Sequence, residues 1–404
     1  MRALFLTPSL YALAAAGSDY WRQRDAFAPV VFGPVQAGNE LWNSLLPSHE
    51  SCQAKANDTD PVCVYSSPLF ASGRGISIVT TAQTMEHIER LPAFSVPDAH
   101  HASSINEQPP NPPFDERDLP GRGKGLIANK TLHRGDRIFA HTPILMFHED
   151  ASQSLQEDVW AGLEHDAVRS LPLPAKDLFW NLFGQPSYGP AQGRIYTNAF
   201  SIEIKDIEHY AIFPEIARLN HDCRPNAAYF FDEATLTHYV HALTDIHPGT
   251  ELTITYIDPQ MSRKERMETL ADTWGFTCSC NSCSMAARLS LASDARLAKI
   301  EEMTEDFDVE DNIMPSSMAL ALVSLYEQER LYGPVADAYR YAATAFCAEK
   351  DRWGAIKYAN LAVETGMLEH GFNDPDVKLM EQLATSPETQ PCWFHAKDGH
   401  TELE

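Results

Sequence analysis

LNHDCRPN at residues 219–226 and WGFTCSCNSC at residues 274–283 are the two stretches that decide the fold of this chain. The second stretch holds three cysteines, Cys278, Cys280 and Cys283, within six residues. Thiolates this close together can share one zinc ion, and a structural zinc site needs four ligands, so one ligand must come from elsewhere. The rival interpretation is a pair of disulfides in a secreted chain, which is sterically awkward for Cys278 and Cys280.

Three further segments accompany these two in a fixed order: GRGKGLIA at 121–128, NAFSI at 198–202 and ELTITYID at 251–258. Together the five segments resemble the SET-domain methyltransferases, specifically the SMYD-like branch, which has a split SET region and a helical C-terminus. The resemblance is strong over residues 121–283 and loose over residues 290–400.

The resemblance implies an α+β fold: a β-rich SET domain of small sheets with a pseudoknot, a post-SET zinc loop, and an α-helical, TPR-like C-terminal region. The glycines of the 121–128 segment allow positive φ and a close approach of the backbone to a ligand. The expected organisation is a signal peptide at 1–17, an N-terminal extension at 18–100, a linker at 101–120, the SET domain at 121–257, a post-SET zinc region at 258–285 and a helical region at 286–404.

The resemblance also implies two cofactors, S-adenosylmethionine and a structural zinc ion. The expected cofactor-binding residues are Lys124 and Gly125 through their backbone, Asn198, Asn220 and His221 through polar contacts, and Phe276 through stacking on adenine. In the alternative interpretation, the Asn-His pair only caps turns and Phe276 only packs in the core. Cys223 is the implied fourth zinc ligand, and four thiolates leave no open coordination position for substrate.

Tyr256 ends the 251–258 segment where the family has its active-site tyrosine. Methyl transfer to an amine needs a neutral, aligned nitrogen, so catalysis depends mostly on positioning and electrostatics. A tyrosine hydroxyl near that nitrogen can orient its lone pair, although tyrosine in a strand is commonly only core. The expected function is therefore protein-lysine N-methylation that uses S-adenosylmethionine.

Two features depart from the SMYD-like pattern. Residues 141–192 contain no cysteine, so the cysteine-rich finger of that branch is absent. Trp274 stands where the family often has a second tyrosine, and an indole lacks the hydroxyl. Two alternatives therefore stay open: an inactive SET-fold interaction scaffold, and a SET fold that acts on another nucleophile or on a small molecule.

The charge of the chain limits its partners. The 404 residues include 56 acidic and 31 basic side chains, which gives a formal net charge of −25. Such a surface repels nucleic acid and attracts a basic, lysine-containing protein segment, although excess acid also serves solubility alone. No apolar run reaches the ~18 residues that span a bilayer, so we expect no membrane insertion.

The N-terminus and the remaining cysteines bear on localisation. Arg2, an apolar stretch interrupted by Pro8, and the small residues at 14–17 follow the order of a secretory signal peptide. Cys52 and Cys63 can form a disulfide, and Cys347 and Cys392 are either buried thiols or a disulfide. Export would place the chain in the secretory pathway; without it, the chain is cytoplasmic or nuclear.

Local patterns predict several further elements. The Gly-Arg-Gly sequence at 73–75 echoes the 121–128 segment and is interpreted as a tight turn into a strand. A turn at 133–136 between two β-rich stretches predicts a hairpin. Helical spacing predicts helices near 159–171, 335–350 and 353–365.

Overall fold

The computed structural model describes residues 46–53, 60–96, 99–100, 104–309 and 313–394. The expected signal peptide at 1–17 lies outside these residues. The strands are β1 Leu46–Gln53, β2 Val62–Ser67, β3 Ile76–Thr81, β4 Phe114–Leu119, β5 Gly123–Ala128, β6 Arg137–His141, β7 Leu145–His148, β8 Ala199–Ile204, β9 Ile207–Ile212, β10 Asn220–His221, β11 Ala227–Asp232, β12 Thr237–Ala242 and β13 Glu251–Ile254.

The α-helices of the described residues are α1 Phe70–Gly73, α2 Ala82–Ile88, α3 Pro92–Ser95, α4 Glu149–Ser154, α5 Glu157–Ser170, α6 Leu173–Trp180, α7 Pro190–Asn198, α8 Arg263–Trp274, α9 Ala287–Phe307, α10 Ser316–Glu329, α11 Val335–Ala348, α12 Arg352–Glu369 and α13 Pro375–Thr385. The expected helices near 159–171, 335–350 and 353–365 are therefore confirmed. No helix in this part of the chain is long and apolar enough to cross a membrane.

Three sheets build the β-rich half of the molecule. Their strand orders are β1-β2-β3-β7-β9-β8, β10-β13-β5-β4 and β11-β12-β6. Inward-facing apolar side chains from all three sheets meet in one buried cluster. Helices α5, α6 and α7 cover the other face of the six-stranded sheet, where Trp160 and Phe179 pack against Phe147 and its neighbours. The expected α+β fold with small sheets is confirmed.

The N-terminal extension is an integral part of the six-stranded sheet. Its strands β2 and β3 are antiparallel, and β3 continues the sheet by pairing in parallel with β7. The Gly-Arg-Gly turn leads into β3, as expected. Gly75 has φ +80°, and a Cβ there would lie 2.5 Å from the Pro172 ring, so only glycine fits this turn.

Arg74 ties this turn to the rest of the β-rich half of the molecule. Its guanidinium donates to both carboxylate oxygens of Glu215, at 2.8 and 2.7 Å, and its Nε donates to the Thr142 carbonyl at 3.2 Å. Burial alone would raise the pKa of the Glu215 carboxyl, but the charge and hydrogen bonds of Arg74 outweigh it and hold that pKa at about 2. Because Glu215 directly precedes the turn that leads to Asn220, the extension supports the segment that carries the Asn-His motif.

Two local expectations differ from the structure. Residues 101–120, expected as a linker, include β4, which pairs along its whole length with β5 and buries Phe114. The turn at 133–136 forms, but β5 and β6 do not make a hairpin, because β5 pairs with β4 and β13 whereas β6 pairs with β12. Strands β4 and β5 form the hairpin instead, across residues 120–122, and β13 pairs with the other edge of β5.

The helical C-terminal region is joined to the β-rich half of the molecule by a buried ion pair. Arg224 Nη2 lies 2.9 Å from Glu329 Oε2 at the end of α10, and both side chains are almost fully buried. Ser293 and Arg296 on α9 donate to the same carboxylate. The consecutive helices α9 to α13 pack on each other in chain order. Their similarity to TPR repeats stays a prediction.

The four cysteines outside the zinc motif form two disulfides. Cys52 bonds to Cys63, directly across from it on the neighbouring strand β2. Cys347 on α11 bonds to Cys392 and so fastens the C-terminal turn Pro391–Phe394 to the helical region. The open choice between thiols and disulfides is thereby decided for both pairs.

We expect Glu215→Gln to destabilise the protein by about 3 kcal/mol at pH 7, because it leaves the buried Arg74 charge unpaired. The native pKa of Glu215 is depressed, so its stabilisation is present above the ordinary value of 4.5 and is lost as the pH falls towards about 2. Urea unfolding at several pH values should therefore show the variant and the parent converging in acid.

Glu208→Gln on β9 is the matched control, because Glu208 is exposed. It should change the urea midpoint little at any pH. A constant difference between Glu215→Gln and the parent from pH 7 to pH 2 would contradict the role given to the ion pair.

Candidate functional site

Four buried cysteines meet at one point of the structure. The sulfur atoms of Cys223, Cys278, Cys280 and Cys283 all lie within 4.8 Å of one another, and none of the four is in a disulfide. Cys223 Sγ is 3.5 Å from Cys283 Sγ and 4.0 Å from Cys278 Sγ. The residues expected as zinc ligands are therefore brought together as free thiols, and the disulfide alternative does not apply to them.

Helix α8 supports this cluster with cations. A capping box between Ser262 and Glu265 starts the helix. Arg263 Nε then donates to the Cys283 carbonyl at 2.7 Å. Arg266 is fully buried; burial by itself lowers its pKa, but the neighbouring sulfur atoms of Cys223 and Cys283 raise it overall. A permanent positive charge next to the cluster favours the thiolate form of the cysteines.

The Asn-His segment lies beside the last strand of the SET region. Strand β10 pairs in parallel with β13, with Asn220 opposite Thr253 and His221 opposite Ile254. Asn220 Nδ2 donates to the Lys124 carbonyl at 3.1 Å and to Glu251 Oε1 at 2.9 Å. Both amide donors are thus used within the protein, and they link the glycine-rich loop to β13.

The glycine-rich loop can approach Asn220 closely because Gly125 has no side chain. A Cβ on Gly125 would lie 2.8 Å from Asn220 Nδ2 and 3.0 Å from Glu251 Oε1, which is too close for any larger residue. Gly121 and Gly123 have φ of +73° and +68°, and a Cβ on either would meet open space. The loop is therefore fastened at Gly125 and accessible at its tip.

The His221 ring joins the cysteine cluster to Tyr256. Its Nδ1 accepts the backbone N–H of Tyr256 at 3.1 Å, so the ring proton lies on Nε2, which is 3.2 Å from Cys223 Sγ and donates to it. Burial lowers the pKa of His221 to about 4, which keeps the ring neutral at pH 7. Both ring nitrogens are occupied by the protein, so the ring acts on the site through Cys223 and Tyr256.

Tyr256 is held by its hydroxyl and its ring. The hydroxyl donates to the Leu219 carbonyl at 2.8 Å, which leaves the phenol oxygen as an acceptor. The ring centroid is 5.5 Å from that of Trp274, the residue at the expected position of a second tyrosine. Burial raises the pKa of Tyr256 above its ordinary value of 10, so the phenol stays protonated at neutral pH.

Phe276 lies at the edge of this arrangement, whereas no hydrogen bond of the described residues joins Asn198 to it. Phe276 is partly buried against the cysteine cluster, and its ring centroid is 6.2 Å from that of His221. Asn198 Nδ2 donates to the carbonyls of Phe183 and Arg194, both at 2.7 Å. The loop 181–189, whose Phe183 carbonyl accepts from Asn198, also reaches the end of α8, because Gln185 Nε2 donates to the Thr273 carbonyl at 3.5 Å.

Several residues that shape the site were not singled out from the sequence. Arg122 donates to the His221 carbonyl at 2.9 Å, and the Asn226 side chain bonds to the Glu251 carbonyl and to the Thr253 N–H. Arg122 and Asn226 could have been identified from the sequence, because both lie inside the quoted motifs. Arg266 gave no such signal, because only the folded helix α8 brings it to the cysteines.

Comparison with known proteins agrees with this geometry. Residues 123–257 match the SET domain family. The chain is 33% identical over 172 residues to histone-lysine N-methyltransferase set5 of Schizosaccharomyces pombe, which covers 42% of this chain and 50% of that protein. It is 35% identical over 131 residues to N-lysine methyltransferase SMYD2 of Bos taurus, which covers 32% and 28%.

A longer match at lower identity extends the same similarity. N-lysine methyltransferase SMYD2 of Rattus norvegicus is 28% identical over 233 residues, 52% of this chain and 51% of that protein. The chain thus spans about half or less of the length of the curated relatives that it matches. Residues 123–257 of this chain match the SET domain family, and their similarity to set5 and SMYD2 supports a place near the SMYD-like branch.

Proposed function

We propose that this protein is an S-adenosylmethionine-dependent protein-lysine N-methyltransferase with a structural zinc ion. One observation carries the proposal: a single hydrogen-bonded unit contains the Asn220–His221 segment, the four-cysteine cluster and Tyr256. The relatives reported above are named as lysine methyltransferases, and their similarity to the SET region supports the same assignment.

The cysteine cluster fits zinc by its donor set. Zinc–thiolate bonds of about 2.3 Å in a tetrahedron separate neighbouring sulfur atoms by roughly 3.8 Å. The separations from Cys223, 3.5 and 4.0 Å, bracket this value. Four thiolates around Zn²⁺ carry a net charge of −2, and the buried Arg266 lowers the cost of keeping that charge inside the protein.

The glycine-rich loop and the Asn-His segment fit S-adenosylmethionine. The open tip at Gly121 and Gly123 gives a ligand access to the backbone. The Asn220 side-chain carbonyl accepts no hydrogen bond from the described residues, so it can accept one from a ligand. Phe276 offers a partly exposed aromatic face next to His221. We propose that these groups, with the backbone of Lys124 and Gly125, hold the cofactor, and that Asn198 helps through the 183–185 loop.

S-adenosylmethionine supplies an activated methyl group on a sulfonium centre. The task of the protein is to present a neutral lysine amine in line with it. Tyr256 suits this task, because its hydroxyl hydrogen is committed to the Leu219 carbonyl and its oxygen can accept an N–H of the amine. Since its pKa is raised, Tyr256 orients the amine rather than removing its proton.

The substrate is expected to be a basic protein segment. A net charge of −25 attracts such a segment over distances set by the ionic strength. The aromatic side chains near Tyr256, Trp274 and Tyr229, favour the neutral form of an entering lysine by desolvation.

We expect the purified protein to contain about one zinc ion per chain, bound by four thiolates. Elemental analysis measures the metal, and alkylation with mass mapping measures the thiols. Four cysteines should react only after denaturation with a chelator, and the other four only after reduction. Cys280→Ser should lose most of the zinc, because it removes one ligand from a closed site.

Ser282→Ala is the matched control for the zinc test. Ser282 is buried between the ligands, but its hydroxyl has no hydrogen-bond partner in the part of the chain that the structure describes. The variant should keep its zinc. Disulfides mapped among Cys223, Cys278, Cys280 and Cys283 would contradict a zinc site.

We also propose that the protein passes through the secretory pathway. The two disulfides support this proposal, because disulfides persist mainly in oxidising compartments. The thiolate cluster would then have to acquire its metal before its cysteines oxidise. The same mapping, made on protein from a secreting host, tests the proposal: reduced Cys52, Cys63, Cys347 and Cys392 would contradict it.

Asn220→Ala should weaken the binding of S-adenosylmethionine about tenfold or more and leave the zinc in place. The change strands the Lys124 carbonyl and Glu251 carboxylate, and a lost buried hydrogen bond costs about 1–3 kcal/mol. His221→Ala should reduce both cofactor affinity and zinc retention, because its ring joins Cys223 to Tyr256. Calorimetric titration with elemental analysis measures both quantities.

Asn360→Ala on α12 is the control, because it removes the same type of side chain far from the loop. Equal cofactor affinity in the parent, Asn220→Ala and Asn360→Ala would place the cofactor elsewhere. No binding by the parent itself would favour the scaffold alternative.

Tyr256→Phe should lower methyl transfer by about one order of magnitude or more and change cofactor affinity little. The ring stays in place, and only the oxygen that orients the amine is lost. Transfer of labelled methyl to basic proteins measures turnover, and calorimetry measures affinity. Tyr326→Phe removes another buried tyrosine hydroxyl, bonded to Gln260, and should leave turnover unchanged. Similar turnover in both variants would remove Tyr256 from the mechanism.

A further inference from the structure

A cavity of about 200 Å³ lies between the SET core and the helical region. Its SET-side wall includes Tyr229 on β11 and Thr255, the residue before Tyr256, and its other wall is the loop 330–334 together with Glu369. A water molecule occupies about 30 Å³ in the liquid, so the cavity has the volume of several water molecules and is large enough for a long side chain. The cavity is therefore adjacent to the proposed reaction site.

Glu369 is the acidic group of this cavity. It ends helix α12 and is partly buried, and its carboxylate rests against Gly333, where a Cβ would lie 2.1 Å from Oε2. Among the described residues, no hydrogen bond or ion pair holds this carboxylate. Burial raises the pKa of Glu369, and the nearby Asp337 adds to the effect while His370 opposes it. The Glu369 carboxylate therefore has no counter-ion among the described residues.

The surroundings favour a cation with an aliphatic stem. Tyr229, Leu243, Leu331 and three prolines line the walls and can pack against methylene groups. Arg330, the cavity's basic residue, is exposed and belongs to the rim. Burial first, and then the charge of Glu369, raises the pKa of Tyr229 to about 12, consistent with the place of both residues in the wall of one cavity.

We propose that this cavity binds the cationic side chain of a lysine or arginine that flanks the acceptor lysine, with Glu369 as its counter-ion. The proposal rests on the proposed function, because the occupant belongs to the protein substrate. It makes Glu369 a specificity-determining residue rather than a catalytic one. A bound cation would offset the desolvation of the carboxylate and favour its ionised form.

The test measures peptide binding and methyl transfer separately on the full chain. The probes are a fluorescein-labelled decapeptide with four lysines among glycine and alanine, and an analogue in which norleucine replaces three of them. Fluorescence anisotropy should show that Glu369→Gln weakens binding of the four-lysine peptide about tenfold, as expected for loss of a charge-assisted contact. Binding of the single-lysine analogue should not change.

Two further variants sharpen the test. Gly333→Ala should also weaken the four-lysine peptide, because its Cβ displaces the Glu369 carboxylate while leaving its charge. Glu302→Gln on α9 removes one exposed negative charge outside the cavity and should leave the affinity within about twofold. If Glu369→Gln and Glu302→Gln weaken binding equally, or if the parent does not bind the four-lysine peptide, the cation site is refuted.

Methyl transfer to the same peptides distinguishes this inference from the proposed function. Binding that depends on Glu369, without any transfer by the parent, would refute the proposed activity and leave the cation site standing. Transfer by the parent, with a KM for the four-lysine peptide that Glu369→Gln does not change, would refute the cation site alone. The expected result is a KM raised about tenfold with kcat close to that of the parent.

Discussion

The hydrogen bond from His221 Nε2 to Cys223 Sγ joins the two parts of the site that must stay in register. On one side is a cluster of four cysteines contributed by two distant segments. On the other side, the same ring accepts the backbone N–H of Tyr256. One neutral imidazole therefore couples the position of the proposed metal ligands to the position of the proposed active-site phenol.

The neighbours of His221 extend this coupling to the rest of the molecule. Asn220 holds the glycine-rich loop, Arg224 reaches Glu329 in the helical region, and Asn226 bonds to the backbone of β13. Within the seven residues 220–226, five side chains thus reach four other structural units. Such a segment tolerates little displacement, since a shift that relieves one contact would break another.

Buried charges are the main energetic cost of this arrangement. Arg266 and the Arg224–Glu329 pair are withdrawn from water, and an uncompensated buried ion costs several kcal/mol. The sulfur atoms of Cys223 and Cys283 offset the buried charge of Arg266. The Glu329 carboxylate and backbone carbonyls offset that of Arg224. Glu369 stands out in this setting because no such partner holds it among the described residues.

Features formed by residues close together in the chain could be predicted from the sequence: the zinc-type cysteine spacing, the glycine-rich loop and the main helices. The resemblance added the SET-type site with Cys223 as fourth ligand. Only the tertiary structure showed that β5 pairs with β4 instead of β6, that the Arg74–Glu215 pair anchors the N-terminal extension, and that a cavity opens beside Glu369. The physical reason is the distance along the sequence between the residues that interact. Spacing along the chain constrains ligands a few residues apart, whereas the partners of buried charges and the walls of a cavity are brought together by packing between segments that lie far apart in the sequence. Strands β4 and β6 both neighbour β5 in the chain, and only the folded sheets decide between them.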